Sequence, residues 1–412
     1  MRQKPPTTTD TGLTADLVYG VGQVNGPIHT ADIVFNSFKV ADQAYVLVNT
    51  SKDIANTTEG TGLLGLGPSS SSVLRRGMKT GTANPVLDRI FIQNTTTPNY
   101  ITVLLSRASE SPSVKLQEDQ QGVLTIGEVV PEYSEVQNMP KLQALTDSAA
   151  THWVTLLDSN GIIGPDGKKI RTTTTVQNPK GKSDQLAVMF DTGTSLPQVC
   201  GHTVLGIPPD SNLLSIQLPS SVLTAIYGRV PGAQFLKERG YWRLPCDYEL
   251  NVTFVLGGRE YPISPLDMTL PIGQENGKPV CISYFKETPA GSKTGYDAIL
   301  GMAFLRNVYQ LLNYGDFVDG SNSTVADPYM QLLTTIDKGA AHRDFVNLRL
   351  GGTDTSGSQK ALLPPPPNSE APPNSDADGP PVRAANGAAG IHPSHALFVM
   401  SASLLLSFFL YS

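Results

Sequence analysis

The run Met189-Phe190-Asp191-Thr192-Gly193-Thr194-Ser195 sets a carboxylate at the end of an apolar stretch, Leu186 to Phe190, with hydroxyls beside it and a glycine at the bend. Glycine lets the backbone turn close to the side chain, and hydroxyl and amide donors hold a carboxylate rigid. An acid held in this way can take up and return protons at a reacting group. An ordinary Asp-Gly type turn between strands carries the same letters, so Asp191-Thr192-Gly193 has to be weighed with its surroundings. Other chemistries find less support. The six histidines show no ligand spacing and no glycine-rich phosphate loop follows a strand, so neither a metal nor an organic cofactor is expected.

The elements that must hold such a loop read as short strands. Between Asp16 and Leu350, β-type runs alternate with turn signals: Ala31 to Phe35, Gln43 to Val48, Gly122 to Ile126 and Leu250 to Leu256. Gly257-Gly258 followed by Arg259-Glu260-Tyr261 reads as a hairpin turn. Helical patterns are few and short, the clearest at Pro219 to Tyr227 and Pro85 to Phe91. The composition agrees with a folded, loop-rich, mainly β protein, with 39% hydrophobic and 16% charged residues, 38 Gly and 32 Pro. At 412 residues, two lobes with appended segments are expected rather than one core. The net charge of -6 and the lack of a basic stripe exclude nucleic acid as a partner.

Five segments in order resemble the pepsin-like aspartic protease family. Leu17-Val18-Tyr19-Gly20-Val21-Gly22 is similar to the flap hairpin, whose tyrosine leans over substrate. Thr61 to Pro68 (TGLLGLGP) resembles the apolar-apolar-Gly strand that braces the first lobe's catalytic loop. His152 to Leu156 resembles the strand opening the second lobe, the Asp191 loop follows, and Ala298 to Asn307 resembles the second lobe's brace. The resemblance spans roughly residues 15 to 340 and implies a bilobal β fold with a substrate cleft. Each lobe of such a protease gives one aspartate to a pair that hydrolyses polypeptides at acid pH through an activated water. It assigns Asp191 as catalytic and Tyr19, Gly20, Gly193 and Thr194 as substrate-binding, in a monomer. Cys246 and Cys281 fall where the family often has its second-lobe disulfide, leaving Cys200 free. Met302 departs from the family, where many members have Asp, and Cys200 to Gln217 looks like an inserted loop.

The divisions expected are a partial N-terminal lobe with the flap (1–145), a C-terminal lobe with the catalytic loop (146–350), a disordered Pro/Gly/Ser-rich linker (351–395) and an apolar anchor signal (396–412). Ala396 to Tyr411 is uncharged and 16 residues long, short for a spanning helix. Small residues at Asn386-Gly387-Ala388, a brief spacer and that tail have the order of a GPI-anchor signal, with a tail-anchoring helix as the alternative. Sequons at Asn49, Asn56, Asn94, Asn251 and Asn322 point the same way, to the secretory route and the cell surface. Met1 to Pro6 do not open a signal peptide.

The family's first Asp-Thr-Gly is expected well upstream of the flap tyrosine, yet 18 residues precede Tyr19. Asp10-Thr11-Gly12 follows prolines and threonines instead of an apolar strand, and reads as a polar turn leading into the flap. Asp354-Thr355-Ser356 lacks the glycine. An N-terminal truncation explains both oddities, leaving an incomplete N-terminal lobe without the first catalytic aspartate and without activity. The alternative is a non-catalytic surface glycoprotein that keeps the lobes for peptide binding or adhesion.

Overall fold

A computed structural model describes residues 7–18, 23–35, 37–48, 63–93, 98–106, 122–145, 152–176, 181–192, 216–275, 277–288, 295–315 and 327–372, and the backbone of 398–400. Near the start, β1 (Thr9–Val18) and β2 (Gln23–Phe35) form the hairpin expected of the flap, paired as far as Val18 opposite Gln23, and β3 (Phe38–Val46) lies on the other side of β2. The hairpin tip, with Tyr19 and Gly20, lies outside the described residues. Gly26 is needed where β2 passes the end of β3, because a Cβ there would lie 2.2 Å from the Leu47 carbonyl oxygen. Helices α1 (Val73–Met78) and α2 (Val86–Gln93) follow. The second matches the helix expected at 85–91, with Val86, Leu87, Ile90 and Phe91 on its buried face.

A six-stranded sheet joins the two halves of the chain. Its order is β21 (Phe398–Met400), β5 (Gly122–Ile126), β4 (Tyr100–Leu104), β19 (Val308–Asn313), β20 (Tyr329–Thr334), β6 (Leu142–Gln143). The central pair, β4 with β19, brings residues about two hundred positions apart into register, from Tyr100 opposite Asn313 to Leu104 opposite Tyr309. Closing so long a loop costs little more than closing a short one, because the entropy grows only logarithmically with length.

The second half holds three further sheets. The first runs β17 (Phe285–Glu287), β10 (Ile216–Leu218), β18 (Ala298–Leu300), β9 (Ala187–Phe190), β7 (Trp153–Leu156). The next has β11 (Gln234–Leu236), β12 (Tyr241–Pro245), β16 (Lys278–Ser283) and β15 (Thr269–Glu275). The last has β14 (Arg259–Ile263), β13 (Val252–Leu256) and β8 (Ile162–Ile163). The expected turn at Gly257-Gly258 closes β13 onto β14. Both glycines have positive φ, 59° and 73°, and the Asp158 carboxylate accepts both of their N–H groups at 2.8 Å. Helices α3 (Ser220–Ile226), α4 (Met302–Leu305) and α5 (Lys338–Arg349) cover this half. One apolar core runs from Phe35 and Phe91 through Phe190, Phe254 and Phe304 to Leu332.

Cys246 and Cys281 are bonded, with Cα atoms 5.1 Å apart and β12 and β16 paired beside them. The bridge closes a loop of 35 residues. Replacing both cysteines by serine is expected to cost about 3 kcal/mol, read as a lower denaturant midpoint with a somewhat steeper slope, because the freed unfolded chain exposes more surface.

Two features differ from the expectations. The first-lobe brace, Leu63 to Pro68, pairs with no strand among the described residues. It is held instead by apolar contacts of Leu64 and Leu66 with the core and by the Leu66 carbonyl, which accepts from Trp153 Nε1 at 3.0 Å and the Tyr314 hydroxyl at 2.7 Å. More substantially, residues 351–372 are not a disordered linker. Leu362 packs on the core, and the backbone bonds the globular part at Leu363 to Arg229, Ser369 to Arg171 and Ala371 to Lys169. Composition correctly says that this segment cannot build a core of its own. It does not prevent the segment's backbone donors and acceptors from pairing with those of a folded neighbour.

Candidate active site

Asp191 leaves the sheet at the last pair of β9, and β9 is gripped on both sides. Antiparallel β7 puts Trp153 opposite Phe190, and parallel β18 puts Leu300 opposite Phe190. One step further on, the Asp191 N–H donates to the Leu300 carbonyl at 3.3 Å, so the aspartate's backbone is still fixed where the chain turns away. All four residues of β9 are buried, and Phe190 stacks on Phe304 of α4 with rings 5.9 Å apart and 6° from parallel. Asp191 itself is half-buried. The expected second brace thus stands where it steadies the loop, while Gly193 and Thr194 lie outside the described residues.

Two titratable rings come near Asp191: His152, just before β7 at this end of the sheet, and Tyr296, which precedes β18 at the start of that strand and has its ring 6.5 Å from that of His152, edge-on. Desolvation lowers the His152 pKa although the residue keeps an exposed side, and the Asp191 charge opposes that shift. Burial raises the Tyr296 pKa, and Asp191 adds to it. By NMR titration, His152 is expected to titrate below the ordinary imidazole value of 6.5, and lower still in Asp191→Asn, where the opposing charge is gone.

Asp297 fastens the two strands that present Asp191. It is 3% exposed and precedes β18. One carboxylate oxygen accepts from the Thr175 N–H (2.6 Å) and hydroxyl (2.9 Å), the other from the Thr174 hydroxyl (2.7 Å) and the N–H of Ala187, the first residue of β9 (2.9 Å). Its own N–H donates to the Ala187 carbonyl at 2.7 Å. The grouping of His152, Tyr296 and Asp297 around the Asp191 strand was not foreseen from the sequence. A hydrophilic Tyr-Asp pair directly before an apolar run was the available signal.

Asp10 stands apart from this arrangement. It is exposed at a bulge in β1, its carboxylate accepting the Gly12 N–H at 2.9 Å while Gly12 takes φ 70°. Asn251 is exposed at the entrance to β13, whereas Asn49, Asn56, Asn94, Asn322 and Cys200 lie outside the described residues. Among the described residues, no group of three or more His, Cys, Asp or Glu is placed to hold a metal ion, and no helix is long and apolar enough to cross a membrane.

The fold is that of the aspartic proteinases. It superimposes on the crystal structure of aspartic proteinase from Irpex lacteus with a TM-score of 0.51, covering 81% of this chain and 84% of that one at 19% identity. A family model described as eukaryotic aspartyl protease matches residues 2–318, and the chain belongs to that family. Among relatives, Major aspartyl peptidase 1 of Cryptococcus neoformans is 23% identical over 325 residues, 76% of this chain and 59% of that protein. A probable aspartic-type endopeptidase CTSD of Trichophyton verrucosum is 25% identical over 300 residues, 72% of this chain and 47% of its own length. The chain thus spans about half of these relatives.

Proposed function

We propose that Asp191 is one of the two aspartates of a pepsin-like endopeptidase that cleaves polypeptides at acid pH. The observation that carries this reading is the position of Asp191 at the open end of a buried strand, braced by β7 and β18, in a chain of the aspartyl protease family. Two adjacent carboxylates cannot both ionise cheaply, so one keeps a proton while the other takes a proton from water, which attacks the peptide carbonyl. Tyr19, Gly20, Gly193 and Thr194 would contact the substrate from the flap tip and the loop. No metal or cofactor takes part in this scheme.

The fold also carries one buried carboxyl whose stability contribution favours acid. Burial raises the Asp88 pKa, against the hydroxyl donated by Ser69. A carboxyl raised in the folded state contributes stability that is full below its unfolded value near 3.8 and is lost as pH rises through the folded value.

The 412 residues hold one Asp-Thr-Gly at the end of an apolar strand, so by this reading they supply half of the pair and are silent alone. That single loop also favours a second reading, a non-catalytic surface glycoprotein that binds peptides. Both readings divide the chain at 145 and 395, use the secretory route with glycans on Asn49, Asn56, Asn94, Asn251 and Asn322, and take 396–412 as a GPI-type or tail anchor, which requires the β21–β5 pairing to open. An acid-pH assay with a transition-state-mimicking inhibitor of pepsin-like enzymes tests the proposal. The expected result is no inhibitor-sensitive hydrolysis by the 412-residue chain. Hydrolysis that is lost in Asp191→Asn would refute the half-site reading, and hydrolysis that survives in the variant would refute the role of Asp191.

A further inference from the structure

The strap 353–371 is mostly exposed, and polar contacts do much of the work of holding it. The Tyr248 hydroxyl donates to the Lys360 carbonyl at 2.8 Å, and Glu249 and Gln359 exchange two bonds, from the Glu249 N–H at 3.1 Å and from Gln359 Nε2 at 3.3 Å. The strap's head meets α5 at His342. There Nδ1 lies 3.0 Å from both Glu249 carboxylate oxygens, and Nε2 lies 3.2 Å from Asp354 Oδ2. The other Asp354 oxygen accepts the Ser356 N–H at 3.0 Å and hydroxyl at 2.6 Å, which starts the turn over Ser356–Ser358.

The two protonation states of the ring cannot satisfy this junction equally. An imidazolium has two N–H donors, one for each carboxylate; a neutral imidazole has one, and turns a lone pair towards the other carboxylate. The Glu249 side chain is 8% exposed and the Asp354 side chain 55%. The remaining proton therefore stays on the Glu249 side, where an unpaired charge costs more, and Asp354 swings into water. We propose that His342 is an acid-fastened latch, clamping the head of the strap between Glu249 and Asp354 and releasing residues 354–359 when it loses its proton.

The charged groups around the ring fit this reading. Glu249 faces it from the segment before β13 and Asp354 from the strap. One turn earlier on α5, Lys338 is paired with Glu260 at 3.5 Å, and Arg343 and Asp344 follow His342 on the helix. The two carboxylates raise the His342 pKa above the ordinary 6.5, Glu249 contributing most. The clamp's contribution is therefore complete below 6.5 and is lost as pH rises through the folded value. Asp354 is lowered from 3.8, chiefly by the Ser356 hydroxyl, so its own contribution persists until pH falls below that range.

Amide hydrogen exchange on the full chain tests the latch, independently of any peptidase activity. After correction for intrinsic rates, the Ser358 and Gln359 amides should be protected about tenfold more at about pH 5 than at about pH 8.5, with β13 and β14 unchanged. His342→Gln should exchange at the lower pH as the native chain does at the higher one. Equal protection of the native chain at both pH values overturns the latch, and so does a pH dependence retained by His342→Gln. Should that variant lose protection in β13 and β14, and so prove unfolded, Asp354→Asn takes its place; the exposed substitution should keep the fold and flatten the pH dependence, and a profile still matching the native one overturns the proposal.

Discussion

Asp297→Ala is expected to destabilise the protein by about 4–5 kcal/mol, lowering the melting temperature by roughly 5–9 °C. The carboxylate is 3% exposed and accepts four hydrogen bonds from three residues, two of them from backbone N–H groups at Thr175 and Ala187. Alanine leaves those two N–H groups facing a void, each costing about 1–3 kcal/mol, and adds the cost of the cavity. The threonine hydroxyls can turn to other acceptors, the amides cannot. Asn is not a safe replacement, because its amide nitrogen would oppose a donor on one side. Thermal and urea unfolding of the two variants measure this. A loss below about 1 kcal/mol for Asp297→Ala would show that the site is hydrated and that the clamp on β9 and β18 is weak.

The second large effect is on chemistry. On the proposed reading, in an enzyme that carries both aspartates of the pair, Asp191→Asn should lower kcat for peptide hydrolysis by about 10³-fold or more, with KM little changed. The amide keeps the size of the side chain and the backbone bond to the Leu300 carbonyl at 3.3 Å, yet it cannot take a proton from water. Stability should therefore hardly move, which separates this variant from Asp297→Ala. A Michaelis–Menten series at acid pH alongside a melting curve reads both quantities. Equal losses of kcat and stability would mean that Asp191 serves the fold rather than the reaction.

Local periodicity and turn chemistry made part of this protein legible in advance. The run Gly122 to Ile126 became β5 at its expected bounds, Gly257-Gly258 became the tight turn because two adjacent residues there need positive φ, and Pro85 to Phe91 became a helix. Helix α5 was not foreseen. Its Asp337 cap, bonded to the Ala340 N–H at 2.7 Å, was readable, but Gly339 and a buried face limited to Ala341, Phe345 and Val346 left a weak pattern.

What the sequence determined by itself is the family, the strand content and the placing of Asp191 at the end of an apolar strand, since each rests on short local segments and, for the family, on their order along the chain. Tertiary structure alone decided what surrounds that aspartate. His152 and Tyr296 reach it from segments separated by more than one hundred residues, Asp297 ties the start of β9 at Ala187 to β18, and only the pairing of β7, β9 and β18 gathers these groups around one strand. The same holds for the strap, whose prolines and small residues forecast an inability to fold alone. Whether a neighbouring surface would offer the matching donors, at Arg229, Arg171 and His342, depended on how distant parts of the chain packed, and no local pattern carries that information.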